Sequence, residues 1–153
     1  MIRHILISTD GSKLSENAIK QGVALAKALH AKVSVLHVIP QFHSFTYRSQ
    51  MLLTYHTALA EDSEAGYKSA TALQAERILK VAKRIATSVG VTCSTIHVTD
   101  DQPYRAILDT AKKRKCGMIV MASHGHGGLE GVLLGSETQK VLVHTTIPVL
   151  VCR

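Results

Sequence analysis

Residues Gly117–Cys152 read GMIVMASHGHGGLEGVLLGSETQKVLVHTTIPVLVC: an apolar run, a glycine-rich stretch, a helical pattern and a second apolar run. Five of the chain's ten glycines, Gly125, Gly127, Gly128, Gly131 and Gly135, fall inside the glycine-rich stretch, and Ser136 follows the last of them. Glycines set between a strand and a helix N-terminus leave backbone N–H groups open to an anion, most often a phosphate. The pattern predicts a strand over Gly117–Ala122, a helix over Gly135–His144 and a closing strand over Ile147–Cys152. Strand, loop, helix and strand in that order make a βαβ unit, which brings its two strands side by side and parallel.

The same alternation extends back to the N-terminus. His4–Ser8 is the first predicted strand, and a helix follows from about Ser12 to His30, with Ser12 as N-cap and Glu16 just inside. Lys32–Val38 is a second strand, stopped by Pro40. Gln41–Ala60 carries Phe42, Phe45, Tyr47 and Tyr55 without a clean period, the mark of a functional or interface excursion. Glu64–Val89 reads as a long helix halted by Gly90, Val91–Val98 as the third strand and Pro103–Lys115 as a helix. The expected fold class is therefore α/β: one domain, a doubly wound five-stranded parallel sheet, helices on both faces. Near-continuous apolar runs such as MIVMA and IPVLV predict strands buried on both sides. In such sheets ligands bind beyond the strand C-termini, where the strand order reverses. Ser8-Thr9-Asp10-Gly11, His37-Val38-Ile39-Pro40 and Ala122-Ser123-His124-Gly125 are expected to meet there.

Composition narrows the function. The 153 residues, 46% hydrophobic, suit one globular domain and exclude disorder. No apolar run reaches the ~20 residues of a membrane span. MIRHILISTDGS leads into a capped helix and not into a cleavage site, so a cytoplasmic protein is expected. Cys93, Cys116 and Cys152 show no CxxC pairing and read as small apolar residues. The net charge of +7 comes largely from lysines and arginines along helix faces and from the run Lys112–Lys115 at a helix end. With 4% aromatics and no nucleic-acid motif, nucleic acid is not the expected partner; a modest attraction for anionic ligands is.

Two common phosphate loops are absent. No Lys-Ser or Lys-Thr follows a suitable glycine pair, and Glu130 stands where a dinucleotide fingerprint starting at Gly125 needs glycine. What is present is Gly125, the nine residues His126–Leu134, then Gly135 and Ser136, flanked by ILISTDGS, VLHVI and TTIPVLVCR elsewhere in the chain. This resembles the universal stress protein (UspA-like) family, whose ATP-binding members carry Gly, two residues, Gly, nine residues, Gly and Ser or Thr. The first family glycine falls on Ala122, a departure.

The resemblance spans nearly the whole chain. It implies the adenine nucleotide alpha-hydrolase-like fold, a homodimer through the C-terminal strand, and bound ATP, with Mg carried by the nucleotide. By the same resemblance Asp10 would lie near the ribose or the phosphate-associated metal, and Val38 would contact adenine. Ala122 and Gly125 would line the nucleotide, and Gly135 and Ser136 would donate to its phosphates. Ser8, Thr9, Ser123, His124 and Glu137 complete the implied nucleotide-binding set. The membrane is not an implied partner.

Plainer roles stand beside these. Asp10 also suits capping of the first turn, and His37, Met118 and Met121 suit the core. His124 and His126, two residues apart, have no third zinc ligand in view and read as phosphate-edge or solvent-facing. Ser123 and Ser136 lack a visible base or a nucleophile elbow. The expected function is thus a nucleotide-dependent signalling or regulatory dimer, with at most weak ATP hydrolysis. A slow ATPase or phosphotransferase, or a family member without nucleotide, are the alternatives.

Overall fold

The strand β1 (His4–Thr9) puts alternate side chains on opposite faces, and all of them except Ser8 are buried. Around it, in a computed structural model of the chain, run α1 (Lys13–Ala28), β2 (Lys32–Ile39), α2 (Glu64–Ser88), β3 (Cys93–Thr99), α3 (Pro103–Lys113), β4 (Met118–Ala122), α4 (Ser136–His144) and β5 (Val149–Cys152). The structure describes residues 1–42, 64–126 and 134–153. Most of the unpatterned Gln41–Ala60 stretch, together with Gly127, Gly128, Glu130 and Gly131, lies outside them.

The strands form one parallel sheet in the order β3-β2-β1-β4-β5. The order reverses between β1 and β4, and that is where a doubly wound sheet opens its crevice. Ile5, Ile7, Val33, Val35 and Val120 face α1 and α2, meeting Ala18, Ile19, Val23, Leu79 and Ala82. Leu6, Leu36, Ile119 and Met121 face α3 and α4, meeting Ile107, Leu108, Ala111 and Val141. Each fully buried aliphatic side chain contributes about 1.5–3 kcal/mol, so the two layers rather than helix propensity hold the fold.

Several boundaries move for identifiable reasons. α1 stops at Ala28, and His30 turns the chain at φ 51. α3 ends at Lys113 instead of Lys115, which sits at φ 53 and cannot continue a right-handed helix. Gly90, at φ 77, turns the chain after α2 as expected. β3 begins at Cys93, not Val91, and β5 at Val149, not Ile147, because Pro148 has no N–H for the ladder. In MIVMA all but Met118 are buried as expected, but IPVLV is not doubly buried: Val149, Leu150 and Val151 are half-exposed. β5 is the last strand of the sheet and has a neighbour on one side only.

Candidate functional site

The crevice is built from two turns. After β1 the chain must reverse within Asp10-Gly11-Ser12, and Gly11 takes φ 83, which a side chain would strain. Ser12 caps α1 by accepting the Ser15 N–H at 3.2 Å. Thr9 is likewise used within the turn, its hydroxyl accepting the Gly11 N–H at 3.2 Å and sharing a 2.9 Å bond with Ser15. Asp10 joins this turn to the second one. Its Oδ1 accepts the Ser12 N–H at 3.0 Å, and its Oδ2 accepts the His126 N–H at 2.8 Å. The His126 ring returns the contact, Nε2 donating to the Asp10 carbonyl at 3.2 Å. Burial pushes the Asp10 carboxyl up, but bonds from Ser12, His126 and Ser15 outweigh it and hold the group below the usual carboxylate range.

The second turn follows β4. The Ser123 N–H donates to the Cys152 carbonyl and the Ser123 carbonyl accepts the Gly135 N–H, both at 2.7 Å. Thr138 Oγ1 donates to the Ala122 carbonyl at 3.0 Å, so both ends of the glycine-rich stretch are tied to β4. Two glycines sit at these close approaches. A Cβ at Gly125 would collide with the Asp10 carboxylate, and one at Gly135 would stand 3.1 Å from His124 Cα. Ala122, where the family pattern has glycine, turns its methyl into the core shared with Ile7 and α1.

At the end of the stretch α4 begins. Its first internal bond runs from the Gln139 N–H to the Gly135 carbonyl, so the Ser136, Glu137 and Thr138 N–H groups have no preceding turn to bond. They carry the positive end of the helix dipole, suited to an anion. Ser136 is exposed there, whereas the Gly135 N–H is committed to Ser123.

The structure therefore brings together Asp10, Ser123, His124, Gly125, Gly135 and Ser136 at the switch point. Ser8 and Val38 are half-exposed at the ends of β1 and β2, Val38 on the α3/α4 side. Glu137 turns away: it accepts the Tyr104 N–H at the start of α3 at 2.9 Å and pairs with Lys140 at 2.8 Å. His37 donates through Nδ1 to the Thr9 carbonyl at 2.9 Å, pinning β2 to β1. Ser15, Thr138 and the His126 backbone support the site without any signal in the local sequence. Asp10 and His126 lie 116 residues apart, and no local pattern links them. Among the described residues no three His, Cys, Asp or Glu groups cluster as a metal site, and His124 instead shares a 3.2 Å bond with Ser123. Ser123 is only 1% exposed, which withholds its hydroxyl from a substrate, while His124 is half-exposed.

Fold and crevice define a parallel α/β protein with an anion-compatible helix N-terminus at its switch point. The universal stress protein family model matches residues 1–153, and the chain belongs to that family. It is 33% identical over 153 residues to universal stress protein YxiE of Bacillus subtilis, covering all of both chains. The solved structure of protein MJ0577 (Methanocaldococcus jannaschii) superposes with a TM-score of 0.80 at 28% identity, over 99% of this chain and 96% of that one. A universal stress protein solved in complex with cAMP gives 0.70 at 24% identity, over 99% and 97%.

Proposed function

We propose that the protein binds an adenine nucleotide, ATP in particular, in the crevice between β1 and β4 and acts as a nucleotide-dependent regulatory dimer of the cytoplasm. The observation that carries this reading is the convergence of Asp10, the Gly125 turn and the open N–H groups of Ser136 and its neighbours on one edge of the sheet. A structural neighbour complexed with cAMP supports the adenine class. In this reading the Ser136 hydroxyl and the first N–H groups of α4 take the phosphates. Val38 lies against the base, and Asp10 faces the ribose or a Mg²⁺ carried by the nucleotide. Binding without turnover fits better than hydrolysis, because a carboxylate held below its usual pKa by N–H donors is a poor general base.

Dimerisation through β5 is part of the same reading. The strand is at the sheet edge with Val149, Leu150 and Val151 half-exposed, and Val143 nearby on α4 is 76% exposed.

Titration calorimetry of the purified chain with ATP, cAMP and GTP, each with Mg²⁺, tests the proposal. Saturable binding of ATP over GTP is expected, with no steady phosphate release. No heat at millimolar nucleotide would overturn it, and multiple-turnover release would replace binding with catalysis. Gly135→Val, which presses on the His124 backbone, should abolish binding while leaving the circular dichroism of the sheet unchanged.

A further inference from the structure

The two ends of the sheet carry opposite electrostatics. Each helix runs back against the strands, so the helix C-termini collect at the edge where the strands begin, away from the crevice. Arg3 and Lys32 open β1 and β2 at this edge, linked by the 3.0 Å bond from the Lys32 N–H to the Arg3 carbonyl. Lys27 ends α1, Lys83 and Arg84 lie in the last two turns of α2, and the run Lys112–Lys115 ends α3. All of these are exposed, and together they are half of the chain's 18 lysines and arginines.

Among the described residues one acidic side chain comes near this edge, Asp109, one turn before the end of α3. Asp10, Glu16, Glu64, Asp100, Asp101 and Glu137 all sit at the crevice end, and Glu76 lies midway along α2. The three ion pairs among the described residues, Lys20–Glu16, Lys68–Glu64 and Lys140–Glu137, also leave the edge untouched. Cations at helix C-termini are ordinarily a local matter of the dipole. Here four helix ends supply about half a negative charge each, far less than the positive charge gathered. Arg3 and Lys32 belong to no helix at all.

We propose that this edge is a docking surface for the anionic face of a lipid bilayer. Shape favours a planar partner. The connections here are short, 29–31, 89–92, 114–117 and 145–148, so the edge is a low face with no helix projecting to enter a nucleic-acid groove. Among the described residues it presents no Phe, Tyr or Trp on which a base could stack. It does present two exposed apolar residues among the cations: Met1, fully exposed beside Arg3, and Val89, 38% exposed beside the end of α2. Flat basic faces with a few apolar side chains suit anionic headgroups, whose surface potential falls off within a Debye length. Docked this way, the nucleotide crevice, about 20 Å away along the strands, stays open to solvent.

Vesicle flotation of the full chain tests this, using phosphatidylcholine alone or with about one third phosphatidylserine. At about 0.1 M salt at least a tenfold preference for the anionic vesicles is expected, lost at about 1 M, where the Debye length shrinks to about 3 Å. The triple variant Lys32→Gln, Lys112→Gln, Lys113→Gln should lose most of that preference. Lys13→Gln, Lys20→Gln, Lys68→Gln removes the same charge elsewhere and should keep it. Equal binding to neutral and anionic vesicles, no binding to either, or equal losses in both variants would overturn the proposal. So would tighter retention on duplex RNA of matched phosphate concentration, which would make nucleic acid the partner. The wild-type comparison stands even if a variant fails to fold.

Discussion

Ala122 and Gly125 show how far one methyl group matters in this loop. Ala122 occupies a family glycine position, yet its side chain is 8% exposed and packs with Ile7 and the α1 layer, away from the crevice. Restoring glycine there removes a buried methyl and loosens a strand, so Ala122→Gly should cost about 1.5 kcal/mol in urea unfolding. Nucleotide affinity by calorimetry should stay within about twofold; a large gain would mean that the methyl intrudes on the ligand. Gly125 is the reverse case. A Cβ would collide with the Asp10 carboxylate and break the bond to the His126 N–H. Gly125→Ala should therefore cost about 2 kcal/mol, the range of a lost charge-assisted bond, and lower nucleotide affinity at least tenfold. The glycine spacing was legible in the sequence, but the reason for each glycine was not. It depends on Asp10 and His124, whose closeness to these glycines only the folded loop reveals.

At the scale of elements, a directed hydrogen-bond chain ties the beginnings of three strands to the end of α3. His4 Nδ1 lies 3.0 Å from the Arg114 carbonyl, which only accepts, so Nδ1 carries the proton. Nε2 then accepts from Ser34 at 2.8 Å, and Ser34 in turn accepts from Ser94 at 2.8 Å. Arg114 Nη1 reaches Ser94 at 3.5 Å. Burial depresses the His4 pKa, with the nearby Lys32 and Arg114 charges adding to it and the bond to the Arg114 carbonyl opposing it. Below the ordinary histidine value of about 6.5 the unfolded chain takes up a proton that folded His4 refuses, so this group's contribution to stability falls as pH falls. Urea midpoints should drop between pH 7.5 and 5.5. His4→Asn, which keeps a donor toward Arg114 but does not titrate, should show a smaller drop. Equal drops in both proteins would assign the effect to other histidines.

For the whole molecule, the order β3-β2-β1-β4-β5 leaves two edges, and their exposure matches their place. β3 alternates half-buried and exposed residues, while β5 offers Val149, Leu150 and Val151 half-exposed. Val151 packs into neither core layer, so Val151→Lys tests the proposed dimer with little cost to the fold. Light scattering should give a dimer for the wild type and a monomer for the variant, with melting temperatures within a few degrees. A wild-type monomer would remove dimerisation from the functional reading.

The amino-acid sequence by itself determined which segments are strands and which are helices, and that the middle strands are buried on both faces, because period and apolar run length are local properties. It marked the glycine-rich stretch as the place to look for an anion for the same reason. Only the tertiary structure decided that IPVLV is half-exposed, that the Ala122 methyl faces the core, that Asp10 clasps His126, and that half the cations share one end of the sheet. Each of these depends on strand order and register, which join residues far apart along the chain.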